Sequence, residues 1–239
     1  MIKTYRFLPV FFVIILLVTI GGFYQSYFGF FPDFVELPFI MHLHAISFLI
    51  WFALLIIQPM LIRKKKLAWH RVLGKFSYGV VAVILFTILA MTKFSYDREL
   101  ALHKPEAEIL ATLIRPFVDA IYFVGFYLAA VLNAKKLFVH ISFIIATSLV
   151  IVEPAMGRMV PVIIASGKLW ILMLMSVILY GIPLVLMVIE KIKFKRKMLT
   201  SPYLLIFVLM MFKDQILIPI GGESTLWHQF AKWMSMNFF

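Results

Sequence analysis

Four side chains able to hydrogen-bond recur along one apolar stretch: His44, Ser47, Trp51 and Gln58 lie at i, i+3, i+7 and i+14. On a helix turning about 100° per residue they fall within about 60° of one another. Such a stripe runs nearly the full depth of a membrane-crossing helix. Polar and ionisable groups at that depth are costly, and they mark ligand sites, ion paths and proton relays. His42 sits about 160° away from His44 on the same helix. The two therefore cannot share one ion unless the helix unwinds there.

A second stripe comes from His140, Thr147 and Arg158, at i, i+7 and i+18. His140 and Arg158 mark opposite ends of their helix, about 27 Å apart at 1.5 Å per residue. Glu153 precedes Pro154, and a proline inside a helix frees a backbone carbonyl beside that carboxylate. Asp119, near the start of the preceding apolar run, lies at a similar depth. Equal depth predicts that Asp119, Glu153 and Arg158 meet, paired as Asp119–Arg158 or Glu153–Arg158, with His44 within a helix diameter. A purely structural ion pair and a ligand, proton or metal site are both open readings of that cluster. As metal chemistry, His44, Asp119 and Glu153 would supply the three protein ligands that a catalytic zinc needs beside an open position. As redox chemistry, His70 and His140 are histidines of different helices at one depth, the arrangement that bis-histidine haem b requires. His44 is the corresponding candidate ligand at the other end.

The elements that must hold these residues are membrane helices. Of 239 residues, 64% are hydrophobic and 14% charged, and the mean hydropathy is +1.02. A soluble domain is nearer half apolar and a quarter charged. The chain has no cysteine, which excludes disulfides and thiolate metal sites. The net charge of +12 sits in short segments between apolar runs, so it sets orientation in a membrane and does not point to nucleic acid. Runs long enough to cross a bilayer fall at 7–27, 39–62, 76–94, 116–134, 137–160, 168–190 and 200–220. The first reads as a retained helix rather than a cleaved signal, because no small-x-small site follows it. The prediction is an all-α polytopic bundle of seven helices in a single transmembrane domain, 1–239. The stretch 95–115 is the longest connection and is expected to hold a short surface helix. Leu226, Phe230, Trp233 and Met234 form one apolar face of an amphipathic C-terminal tail, with Trp227 and Trp233 at the interface.

Lys and Arg number 15 on the side that holds the N-terminus and 8 on the other, which also carries eight acids. The positive-inside bias places the N-terminus in the cytoplasm and the C-terminus outside. The clusters Arg63 to Lys66 and Lys193 to Lys197 suit anionic lipid headgroups.

The segments "HAISFLIWFALLIIQPMLI", "WHRVLG", "PFVDAIYFVGFYLAAVLNAKKLFVHISFIIATSLVIVEPAMGRM" and "STLWHQFAKW" resemble an uncharacterised bacterial family of multi-pass inner-membrane proteins. The resemblance covers most of the chain from residue 42. It rests on His44, Ala45, Trp51 and Gln58, then His70, Arg71, Leu73 and Gly74, then Asp119. The family has His-Lys-Arg before the next span, whereas this chain keeps only His140, followed by Ile141 and Ser142. The resemblance implies a cell inner-membrane location. His44 and His70, 26 residues apart across a helix and a basic loop, are also loosely similar to membrane b-type cytochromes. The reading taken is a non-enzymatic integral membrane protein, active in transport, sensing or as an assembly subunit. Its partners are the lipid bilayer and a second membrane protein or a homo-oligomer, not nucleic acid. The alternatives are a haem-binding redox protein using His70 and His140, and a metal-dependent intramembrane hydrolase.

Overall fold

The computed structural model describes residues 6–34 and 37–237. Lys3 and Glu36, which enter the charge count, lie outside them. Among the described residues every regular element is a helix. The apolar runs force this: away from water each backbone N–H and C=O must find its partner within its own segment.

Helix α1 spans Leu8–Gly22, α2 Phe39–Arg63, α3 Leu67–Ala101, α4 Glu106–Thr112, α5 Ile114–Leu132, α6 Leu137–Ala165 and α7 Trp170–Phe194. Helix α8, Pro202–Phe212, runs through a π-helical turn at Lys213–Leu217 into α9, Ile218–Gly222, and α10 covers Thr225–Asn237. Six stretches are long and apolar enough to cross a membrane: α2, α3, α4 with α5, α6, α7, and α8 through α9. The expected seventh, over 7–27, contains a helix of only 15 residues.

Helix α6 is the hub, packed against α1, α5, α7 and α8. Its Ser142, Thr147 and Ser148 are fully buried, and each hydroxyl bonds a carbonyl three residues back. Close approach of α1 to α6 depends on Gly22, where any Cβ would collide with the Ala155 backbone. On the other side of the bundle α2 packs on α1 and α3, and α3 on α5.

Apolarity marks only the bilayer-depth part of a helix, so α3 extends well beyond 76–94 at both ends. It is bounded by residues in the left-handed region, Lys65 at φ 58° and His103 at φ 60°. Most of the expected 95–115 connection is therefore helical, and α4 is a short helix there with one face exposed and the other packed. Ile109 and Leu110 of α4 are buried with Trp227 and Ala231 of α10, and the Trp227 indole N–H donates to Leu110 O at 2.7 Å. Leu226, on the apolar face read from the spacing, is 78% exposed. The side of the tail packed on the protein carries Trp227 and Ala231, because α4 offers an apolar surface at that position.

Candidate functional site

The C-terminal ends of α1, α3 and α6 meet the N-terminal ends of α2, α5 and α7 at one end of the bundle. They enclose a cavity of about 1170 Å³ lined by His44, Arg98, Arg115, Asp119, Glu153 and Arg158, among others. Its polar wall is an ion network centred on Lys213, whose side chain is fully buried. The Lys213 ammonium donates to Asp119 Oδ1 at 2.7 Å and to Glu153 Oε2 at 2.5 Å, and lies 3.2 Å from Asp214 Oδ1. Arg115 donates to Glu153 Oε1 at 2.9 Å and lies 3.6 Å from Asp214 Oδ1. The Tyr180 hydroxyl donates to Asp214 Oδ2 at 2.7 Å.

The local chain explains this convergence. Asp119 and Arg115 occupy the first turns of α5, and Glu153 sits one residue before Pro154 on α6. Lys213 and Asp214 open the π-helical turn, near the middle of the 21-residue stretch from Pro202 to Gly222. In a regular α-helix adjacent side chains diverge by about 100°. The widened turn lets both reach the same carboxylate cluster, and such turns recur at functional positions. Three carboxylates thus share two cations. Among the described residues Asp119 Oδ2 and Asp214 Oδ1 are buried and accept no hydrogen bond, although Asp214 Oδ1 is within ion-pair distance of Lys213 and Arg115. With every group ionised the cluster carries one negative charge in excess.

Arg158 is not in this network. Glu153 and Arg158 are five residues apart on α6, about 140° around the helix, and so cannot point to one place. The Arg158 guanidinium instead donates to Pro154 O at 3.3 Å and stacks on the Phe23 ring at 4.4 Å. The cations that answer Asp119 and Glu153 are Lys213 and Arg115. Helical spacing alone does not single out Lys213, Asp214, Arg115 or Tyr180 as members of one network with Asp119 and Glu153. The signal was present in "FKDQ", two adjacent charges in the interior of an apolar run.

The α2 stripe faces α3 and α5. His44 Nδ1 lies 3.2 Å from Thr87 Oγ1, and Trp51 packs edge-on to Phe123 and Tyr127. Gln58 donates to His70 O at 3.2 Å. His44 joins the cavity, whereas Trp51 and Gln58 lie deeper and do not line it. His42, on the other face of α2, bonds the Tyr27 hydroxyl at 2.9 Å. Among the described residues no three His, Asp or Glu are placed to hold a metal. The place between Asp119 and Glu153 is taken by the Lys213 ammonium.

At the opposite end of the bundle stand His70, in the first turn of α3, and His140, in the first turn of α6. His140 Nδ1 lies 2.8 Å from Ala130 O, so the ring donates there and its other nitrogen stays available. His70 Nδ1 is buried without a hydrogen-bond partner among the described residues. Neither histidine lines the large cavity.

Comparison with family models, curated proteins and solved structures finds no match to this chain.

Proposed function

We propose that the chain is a non-enzymatic seven-helix protein of the bacterial inner membrane that transports or senses a small solute, coupled to proton uptake at the Lys213 cluster. Its N-terminus is cytoplasmic and its C-terminus outside, so the cavity belongs to the outer half of the bilayer. Helix α1 makes the seventh crossing. Its 15 residues span about 22 Å against a hydrocarbon core near 30 Å. Local thinning of the bilayer and the flanking residues make up the difference.

One observation carries this reading: three carboxylates, Asp119 buried and Glu153 and Asp214 mostly so, share two cations at the wall of a large cavity. A buried ion network is a poor stabiliser, since apolar side chains of similar volume often do as well or better. A charge-imbalanced one beside a cavity suits proton binding, its protons belonging to the cluster rather than to one residue. The test is proton entry into liposomes carrying the purified protein and a trapped pH-sensitive dye, under an imposed potential. Wild type should exceed empty liposomes. Asp119→Asn and Glu153→Gln should lose the flux while melting near the wild-type temperature. Wild type indistinguishable from empty liposomes, or variants that conduct normally, would refute the reading.

A second reading, haem b held by His70 and His140, is favoured by two histidines of different helices at one end of the bundle, His140 oriented by Ala130 O and His70 Nδ1 buried without a partner among the described residues. A Soret band in protein purified from a haem-supplied host, lost in His70→Ala and His140→Ala, is its expected outcome. A colourless protein ends it.

A further inference from the structure

A second cavity, of about 760 Å³, lies between α1, α6 and α7. Phe11, Ile14, Val18, Met159, Ile171 and Ile178 represent its lining, which among the described residues contains one charged side chain, Arg158. The two cavities share Met156, Arg158, Met175 and Leu179, so the guanidinium stands where they join. Among the described residues no carboxylate lies within ion-pair distance of Arg158. Its partners are the Pro154 carbonyl and the Phe23 ring.

We infer that this is a binding site for a single-chain acyl anion, with the chain in the apolar cavity and a carboxylate or phosphate head on Arg158. Four observations carry the inference. The cavity is of a size that takes a small amphiphile, within the roughly 300–1,000 Å³ of ordinary ligand sites. Its walls are apolar from end to end apart from Tyr24, Gln25 and Arg158. Arg158 is exposed near the C-terminal end of α6, and a guanidinium against apolar walls is favoured by an anion that answers it. A guanidinium also offers paired N–H donors matched to an oxyacid head. Phe23 and Pro154 hold the guanidinium from one face and one edge, and Arg158 lines both cavities. The inference goes beyond the proton reading and uses none of the Lys213 cluster.

The test is native mass spectrometry of the full-length protein in detergent with three probes of equal chain length: palmitate, 1-palmitoyl lysophosphatidate and hexadecanol. Palmitate or lysophosphatidate should bind at least about tenfold more tightly than the neutral alcohol, the value of a charge-assisted pair. Which acid binds more tightly identifies the head. Arg158→Gln should remove that preference, and Arg158→Lys should restore part of it. Ile178→Trp, which fills the apolar cavity, should weaken all three. If Arg158→Gln does not fold, the wild-type preference and Ile178→Trp still decide. Equal binding of acid and alcohol by wild type, or undiminished acid binding by Arg158→Gln, would overturn the site. Acid binding without proton flux would retire the proton reading alone, and flux without acid binding would retire this one alone.

Discussion

At the scale of single residues, the asymmetry of the Lys213 cluster sets the outcome of mutation. Removing the ammonium leaves Asp119, Glu153 and Asp214 facing one another with only Arg115, itself half exposed, to answer them. Lys213→Met should therefore cost roughly 3–5 kcal/mol, the usual penalty for stranding buried charge. Asp119→Asn acts in the opposite sense, since it brings two carboxylates against two cations. It should be much better tolerated, and adding it to Lys213→Met should recover part of the loss. Thermal melts of the three variants in detergent check the order. Lys213→Met melting with wild type would show that the ammonium is not the centre of the network. Trp51 carries a different lesson. It is almost wholly buried against Phe123 and Tyr127, yet its indole N–H has no acceptor among the described residues. Its contribution to the middle of α2 is packing.

At the scale of elements, two contacts decide how helices are placed. The α1–α6 contact tolerates no side chain at Gly22, so Gly22→Val should push the helices apart and lower stability by about 1–3 kcal/mol through overpacking. Because the apolar cavity lies along the same seam, the variant should also release a bound acyl anion. The second contact is α10 on α4. Glu106 accepts from Tyr96 of α3 and from Lys232 of α10, each at 2.9 Å, so three elements are tied at one carboxylate. Trp227→Ala should cost roughly 3–5 kcal/mol for the lost aromatic burial. Trp227→Phe should cost about 1 kcal/mol for the hydrogen bond to Leu110 O. Amide exchange in residues 106–112 reports both. Unchanged protection in Trp227→Ala would mean that α10 does not hold α4.

At the scale of the whole molecule, the arrangement is testable because the chain has no cysteine. Single cysteines at Lys66, in the turn between α2 and α3, and at Lys104, between α3 and α4, should react with an impermeant maleimide from opposite faces of the membrane. Lys104→Cys should label in intact cells and Lys66→Cys only after permeabilisation. Labelling of both from one side would exclude the crossing of α3, and labelling in reverse would invert the proposed orientation. A gain of function is also available. Gln215→Cys, at the cavity wall, should label from outside if the cavity opens there, and more slowly when a ligand occupies it.

The sequence by itself determined the solvent in which this chain folds and where most of its helices lie. Both follow from local quantities, the apolarity of a window and the angle that spacing sets on one helix. It also determined that His44, Ser47 and Trp51 share a face, and that Asp119 and Glu153 sit at similar depth. Tertiary structure alone decided which charges meet. Lys213 finds Asp119 and Glu153 across 94 and 60 residues of chain, and no periodicity within one helix encodes the rotation of its neighbour. The same limit applies to the tail. Its apolar spacing was readable, but the choice of Trp227 and Ala231 as the packed side came from the surface α4 presents. Arg158 was separated from Glu153 by geometry already present in the spacing, about 140° on α6. What the spacing could not supply was its alternative, a carbonyl and an aromatic ring at the junction of two cavities. That junction exists only because α1, α6 and α7 pack with a gap between them.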